Sequence, residues 1–234
     1  MVIRTQALRY EVAGKAYESL ATWDDATSAP RPAVLVAPSF FGRSAFEEAK
    51  AEKLAARGYA GVAIDIFGVE TRPASIDEAV AAMSMLDGDR KALAATMQAG
   101  LDQTRALAGV DAGRIAAIGF CFGGKCVLDL ARSGAEVKGV AAFHGIFDAP
   151  PFETAPVIAA KVLALHGWDD PLADPDAVIA FAAEMTAKKA DWQLHAYGHT
   201  EHAFTNPGRP ESYRPDADRR SWQALENFLG ELFG

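Results

Sequence analysis

Short unbroken apolar runs alternate along this chain with longer stretches whose apolar positions recur at helical spacing. The runs are AVLVA (33–37), YAGVAID (59–65), RIAAIG (114–119), VKGVAAF (137–143) and AKVLAL (160–165). That is the pattern of strands buried on both faces. The intervening segments predict helices. Ser44 and Glu47 have capping-box spacing ahead of AFEEAKAEKLAAR, with Gly58 as the stop. Residues 89–107 carry Leu93, Met97 and Leu101 at four-residue spacing, and residues 123–133 predict a further helix. Asp174–Pro175 gives a side-chain cap followed by a residue needing no N–H, and Val178, Phe181, Ala182 and Met185 then share one face. After a strand at 191–197 and the loop TNPGRPESYRP, a last helix turns Trp222, Leu225, Leu229 and Leu232 inward.

The first residues follow a different rule. Residues 4–12 and 15–23 alternate polar and apolar around AGK, which predicts a hairpin, and the Asp, Ser and Pro content of 24–32 predicts a loop. Strands alternating with amphipathic helices predict an α/β fold: a mostly parallel sheet of about seven or eight strands, helices on both faces, and an antiparallel hairpin at one edge. No repeat or long linker divides residues 1–234, so a single domain is expected. In such sheets ligands gather at the carboxyl ends of the strands.

Composition narrows the function. The formal charge of −8 offers no basic stripe for phosphates, which argues against nucleic acid. No apolar run approaches the roughly 20 residues that span a bilayer. The opening MVIRTQALRYEVAG lacks the apolar core of a signal peptide, so a cytoplasmic location is expected. The sequence leaves monomer and homodimer equally open.

Both cysteines stand in GFCFGGKC, residues 119–126. The pattern G-x-C-x-G-G joins the end of a strand to the start of a helix, as a nucleophile elbow does, with cysteine in the place of the commoner serine. The glycines spare so tight a turn its steric collisions, and the helix N-terminus favours thiolate over thiol. The alternative is a glycine-rich bend around a buried cysteine. Cys126, five residues on, reads as a small apolar helix residue.

A thiol nucleophile needs a base and a group that orients the base. In chain order the acid should follow the nucleophile and the histidine should come last. HGWDDPL offers Asp169 and Asp170; Pro171 fixes a tight turn after Asp170 and selects it. His199 and His202 both lie after the final strand in YGHTEHAFTNP, and the Ala203–Phe204 anchor favours His202. His144 closes AAFHG and is expected at the pocket wall, while His166 and His195 read as structural. No zinc-type ligand spacing or dinucleotide fingerprint is present, so neither metal nor organic cofactor is expected.

With GFCFGG, HGWDDP and HAF in this order, the chain resembles the dienelactone hydrolase (carboxymethylenebutenolidase) family of α/β-hydrolases over nearly its whole length. The resemblance implies a Cys121–Asp170–His202 triad acting on a small ester or lactone. It also implies an oxyanion hole from the backbone N–H groups of Phe122 and of Phe40 in APSFFG. Phe41 is expected at the pocket wall. Ser39 stands where well-known members carry a glutamate, and Asn206 where they carry an arginine that binds a substrate carboxylate. Arg72 and Arg90 lie in the region expected for a second such arginine. The alternatives are a broad carboxylesterase or thioesterase, a non-catalytic binding protein of the same fold, and a redox sensor using both cysteines.

Overall fold

The computed structural model describes residues 1–27 and 30–234; residues 28 and 29 of the expected 24–32 loop lie outside the described residues. Strand β1 (Ile3–Val12) pairs antiparallel with β2 (Lys15–Asp24), from Ile3 opposite Asp24 to Val12 opposite Lys15. This is the hairpin that the alternation predicts. Next in sequence come β3 (Arg31–Ala37), β4 (Ala60–Ala63), β5 (Val110–Phe120), β6 (Gly139–Phe143), β7 (Lys161–Gly167) and β8 (Trp192–Tyr197). The strands form one eight-stranded sheet in the order β1-β2-β4-β3-β5-β6-β7-β8. β2 meets β4 antiparallel, whereas β3 with β4, β6 with β7, and β7 with β8 run parallel.

Two strands differ in length from their apolar runs. β4 stops at Ala63 because Asp65 turns the chain: its Oδ1 accepts from the amides of Phe67 and Gly68 at 3.1 and 2.9 Å. β5 begins at Val110, ahead of the apolar run, and its first residues are half-buried or exposed, so no hydrophobic pattern marks them.

The residues gather into two compact units, Met1–Ala117 and Ile118–Gly234. In the first, α1 (Ala45–Ala55) packs on β2, β3 and β4, and the Ser44–Glu47 capping box is fully formed at its start. α3 (Arg90–Ala106) buries Leu93, Met97 and Leu101 and packs on β1 and β3. Between them, α2 (Ile76–Gly88) is a helix that periodicity does not predict. It buries only Ala79 and leaves Ile76 and Met85 61% and 78% exposed, so it has no apolar stripe to read. What marks it is a cap: the Ser75 hydroxyl accepts from the Glu78 amide at 3.2 Å.

In the second unit, every residue of α4 (Phe122–Arg132) is buried, and the helix packs on β6. α5 (Pro175–Ala187) is capped by Asp174, which accepts from the Ala177 amide at 2.9 Å, and buries Val178, Phe181 and Met185 with Ala182 half-buried. α6 (Pro215–Phe233) lies against β6 and β7. It buries Trp222, Leu225 and Leu229 as expected, with Phe228 and Phe233 added and Leu232 only half-buried. Among the described residues no helix is long and apolar enough to cross a membrane.

Candidate active site

Cys121 is the single residue between the end of β5 and the start of α4. Its backbone sits at φ 56° and ψ −117°, a conformation that costs a non-glycine residue energy and persists only when its surroundings impose it. The neighbouring glycines show what imposes it. A Cβ on Gly119 would lie 2.0 Å from the carbonyl oxygen of Gly123, and one on Gly124 would lie 2.6 Å from the Cα of Gly145. Strand, turn and helix are therefore folded to backbone contact, and only glycine fits. Cys121 is half-buried at the helix N-terminus, whereas Cys126 is fully buried within α4, and the two are not joined in a disulfide. Phe122 is the first residue of α4, so its N–H has no partner within the helix.

The acid and the histidine come from the loops after β7 and β8. Asp170 is 2% exposed, and its own N–H donates to the Gly167 carbonyl at 3.1 Å. Its Oδ1 accepts from the Leu172 amide at 2.9 Å, and its Oδ2 lies 2.7 Å from His202 Nδ1. Asp169 is exposed and points elsewhere; its amide instead donates to the Thr200 carbonyl at 3.0 Å, while the Trp168 amide donates to the Tyr197 carbonyl at 2.9 Å. These two backbone bonds tie the acid loop to the histidine loop.

Nδ1 of His202 is thus committed to Asp170, and Nε2 is its other ring nitrogen. Nε2 is buried and makes no conventional hydrogen bond. Burial alone would lower the His202 pKa, but the hydrogen bond to Asp170 and the interaction with the Cys121 sulfur outweigh it and raise the value to about 9.

The other histidines separate clearly. His195 and His199 are exposed. His166 is buried against Phe147, with ring centroids 5.5 Å apart, and burial pushes its pKa down. His144 is 2% exposed; its Nδ1 accepts from the Cys121 amide at 3.1 Å and its Nε2 lies 2.9 Å from Thr205 Oγ1. It therefore belongs behind the elbow. The Asn206 side chain closes a local turn, with Oδ1 accepting from the Gly208 amide at 2.9 Å.

In the first unit, Ser39, Phe40 and Phe41 form the turn after β3, closed by the Gly42 amide donating to the Ser39 carbonyl at 3.0 Å. The two phenylalanine rings meet edge to face at 5.0 Å. Glu47 does more than cap α1. Its buried carboxylate also accepts from the Ser39 amide and hydroxyl at 3.0 and 3.2 Å, and burial raises its pKa. The sequence flagged Glu47 as a cap, but its hold on residue 39 carries no sequence signature. Arg72 is committed to Asp65 through paired contacts of 3.0 and 2.9 Å, and Arg90 is buried. Among the described residues no cluster of His, Cys, Asp and Glu has the makings of a metal site.

This geometry can be set beside known proteins. The profile of the dienelactone hydrolase family matches residues 19–233. A solved structure called m3DLH is 34% identical with a TM-score of 0.95, each chain covered completely. A dienelactone hydrolase-like promiscuous phosphotriesterase from metagenomic libraries is 33% identical with a TM-score of 0.93, again over the whole of both chains. A Bradyrhizobium sp. protein named "Probable 2-oxo-3-(5-oxofuran-2-ylidene)propanoate lactonase" is 29% identical over 202 residues, 82% of this chain and 80% of its own length. The chain is a hydrolase of ester or lactone bonds with the α/β-hydrolase fold, and it belongs to the dienelactone hydrolase family.

Proposed function

We propose that the chain hydrolyses small uncharged esters or lactones through a covalent thioester on Cys121. The observation that supports this reading is the 2.7 Å hydrogen bond from His202 Nδ1 to the Asp170 carboxylate, in a ring whose pKa the Cys121 sulfur also helps to raise. A histidine whose pKa is raised to about 9 holds its proton at neutral pH, which suits a resting imidazolium beside a thiolate.

The steps follow. The Cys121 thiolate forms an S–C bond at the substrate carbonyl, and the developing oxyanion is met by the Phe122 N–H at the head of α4. The family resemblance implies the Phe40 N–H as the second donor. The C–O bond then breaks and His202 gives its proton to the leaving oxygen, which stays tethered when the substrate is a lactone. Water next loses a proton to His202 and attacks the thioester carbon. The C–S bond breaks, the acid departs, and thiolate and imidazolium are restored. Asp170 holds the ring orientation and does not itself take the proton.

The preference for uncharged substrates rests on the arginines. Arg72 is bound to Asp65, Arg90 is buried, and position 206 is an asparagine engaged in its own turn. A second reading, phosphotriester cleavage by the same thiolate, is favoured by the promiscuous phosphotriesterase that shares 33% identity over the full chain. One panel tests both: wild type and Cys121→Ala on uncharged butenolides, carboxylate-bearing butenolides, linear esters, thioesters and a neutral phosphotriester. The proposal expects the highest kcat/KM on uncharged lactones or esters, and none in Cys121→Ala. A strong preference for the carboxylate-bearing lactone would overturn the substrate assignment.

A further inference from the structure

His144 is a buried, titratable side chain that the mechanism does not use, and its backbone is strained. It stands at φ 38°, in the left-handed region that a residue with a bulky side chain seldom enters. The chain around it is fixed from outside the residue: its own N–H donates to the Leu165 carbonyl of β7 at 2.8 Å. Strain of this kind has to be offset by interactions of the side chain it re-aims.

Those interactions define a single state of the ring. The Cys121 N–H divides its hydrogen bond between the Phe143 carbonyl at 3.0 Å and His144 Nδ1 at 3.1 Å. An amide can only donate, so Nδ1 must carry a lone pair and the ring proton must sit on Nε2. Nε2–H therefore donates to Thr205 Oγ1 at 2.9 Å, and Thr205 is fully buried. Residue 144 thus links the backbone of the nucleophile to the loop that carries the base, three residues beyond His202. The same ring stands edge-on to the His202 ring, with centroids 5.0 Å apart, and to the Phe204 ring at 5.2 Å. Asp170 restrains His202 by hydrogen bonding to Nδ1; His144 blocks a second direction of ring motion by contact.

We infer that His144 is a positioning residue whose neutral Nε2–H tautomer, anchored on Thr205, sets the separation of the Cys121 elbow from the His202 loop. It acts through two residues, the Cys121 backbone it accepts from and the His202 ring it packs against. The inference rests on Cys121 and His202 being the working pair, as proposed above. A clamp of this kind governs rate more than binding, because displacement of about 1 Å between reacting groups can cost on the order of a hundredfold in turnover.

The test uses Thr205→Val, which keeps the shape and removes the acceptor, with Thr205→Ser as the conservative rescue. His144→Asn retains an acceptor near the Nδ1 position but cannot reach Thr205. The expected result is a fall in kcat of about tenfold or more in Thr205→Val and His144→Asn, with KM within about twofold and Thr205→Ser within about threefold of wild type. The second readout does not depend on ester hydrolysis. Alkylation of Cys121 by iodoacetamide, followed by peptide mass spectrometry to separate it from Cys126, should shift to higher pH in Thr205→Val and not in Thr205→Ser. Unchanged kcat and an unchanged alkylation profile in both disabling variants would overturn the inference. So would equal impairment of Thr205→Val and Thr205→Ser that merely follows their loss of Tm. Should Cys121→Ala hydrolyse substrate normally, the hydrolase mechanism falls, yet the alkylation profile still decides the clamp.

Discussion

Asp170 holds His202 with one carboxylate oxygen and is itself held by the other: Oδ2 lies 2.7 Å from His202 Nδ1, and Oδ1 accepts from the Leu172 amide at 2.9 Å. The carboxylate cannot rotate without breaking a backbone contact, so the imidazole it orients is fixed as well. Asp170→Asn preserves the shape but presents a poorer and differently arranged acceptor to Nδ1. We expect kcat to fall by about a thousandfold or more, by analogy with triads in which the same exchange spoils the tautomer. Asp169→Asn, at the exposed neighbour, should stay within about twofold. Steady-state kinetics of the two variants on one ester makes the comparison.

The raised His202 pKa gives a pH signature with a defined sign. Its value moves from 6.5 to about 9 on folding, so the folded state binds the proton more tightly. The stabilisation is complete below 6.5 and is lost as pH rises through about 9. Tm should therefore decline across that interval, and kcat/KM should lose its general acid on an alkaline limb near 9. Cys121→Ala removes one of the interactions that raise this pKa, so in that variant the Tm decline should still begin near 6.5 but end at lower pH and be smaller in total. A calorimetric pH series on both proteins checks the direction.

The elbow tolerates no added carbon at Gly119. An alanine there would drive its Cβ to 2.0 Å from the Gly123 oxygen, a backbone atom that cannot swing away. Gly119→Ala should lose several kcal/mol, on the order of 3, together with activity. Gly230→Ala is the matched control: nothing lies within 4 Å of its added Cβ, and it sits inside α6. That substitution should stabilise the protein by roughly 0.5–1 kcal/mol. Chemical denaturation of the pair reads both effects.

Arg132 is a fully buried cation that ties α4 to α5 and to the chain after β6. Its guanidinium meets Glu184 at 2.6 and 3.0 Å, Asp129 at 3.2 Å, and the Phe147 and Asp148 carbonyls at 2.8 and 3.1 Å. Arg132→Met removes the guanidinium from the Asp129 and Glu184 carboxylates and should cost about 3–5 kcal/mol. Adding Glu184→Leu should recover part of that loss. Urea titration of the single and double variants measures the coupling.

The parts of this molecule legible in the sequence are those where one residue type answers one local demand. Continuous apolar runs mark the buried strands, Ser44 with Glu47 marks α1, and Asp174–Pro175 marks α5. The Pro171 argument for Asp170 and the Ala203–Phe204 argument for His202 place both on a single hydrogen bond. What escapes the sequence depends on contacts between distant segments. α2 leaves Ile76, Val80 and Met85 exposed, so no periodicity announces it. His144 reads from the sequence as a pocket residue, while its bonds to the Cys121 amide and to Thr205 depend on a positive φ and on segments far apart in the chain. Likewise Glu47 reaches Ser39 only because a turn brings it there. Arg72 lies with Arg90 in the region where a second substrate arginine is expected, and its pairing with Asp65 has no sequence signature.

The central claim is that Cys121 sulfur forms and breaks the bond to the acyl group. Rapid quenching during turnover of a slow ester, followed by peptide mass spectrometry, tests it most directly. The account predicts a hydroxylamine-labile acyl adduct confined to the peptide containing Cys121, with hydrolysis abolished in Cys121→Ala. An adduct on another residue, or wild-type turnover in Cys121→Ala, would contradict it.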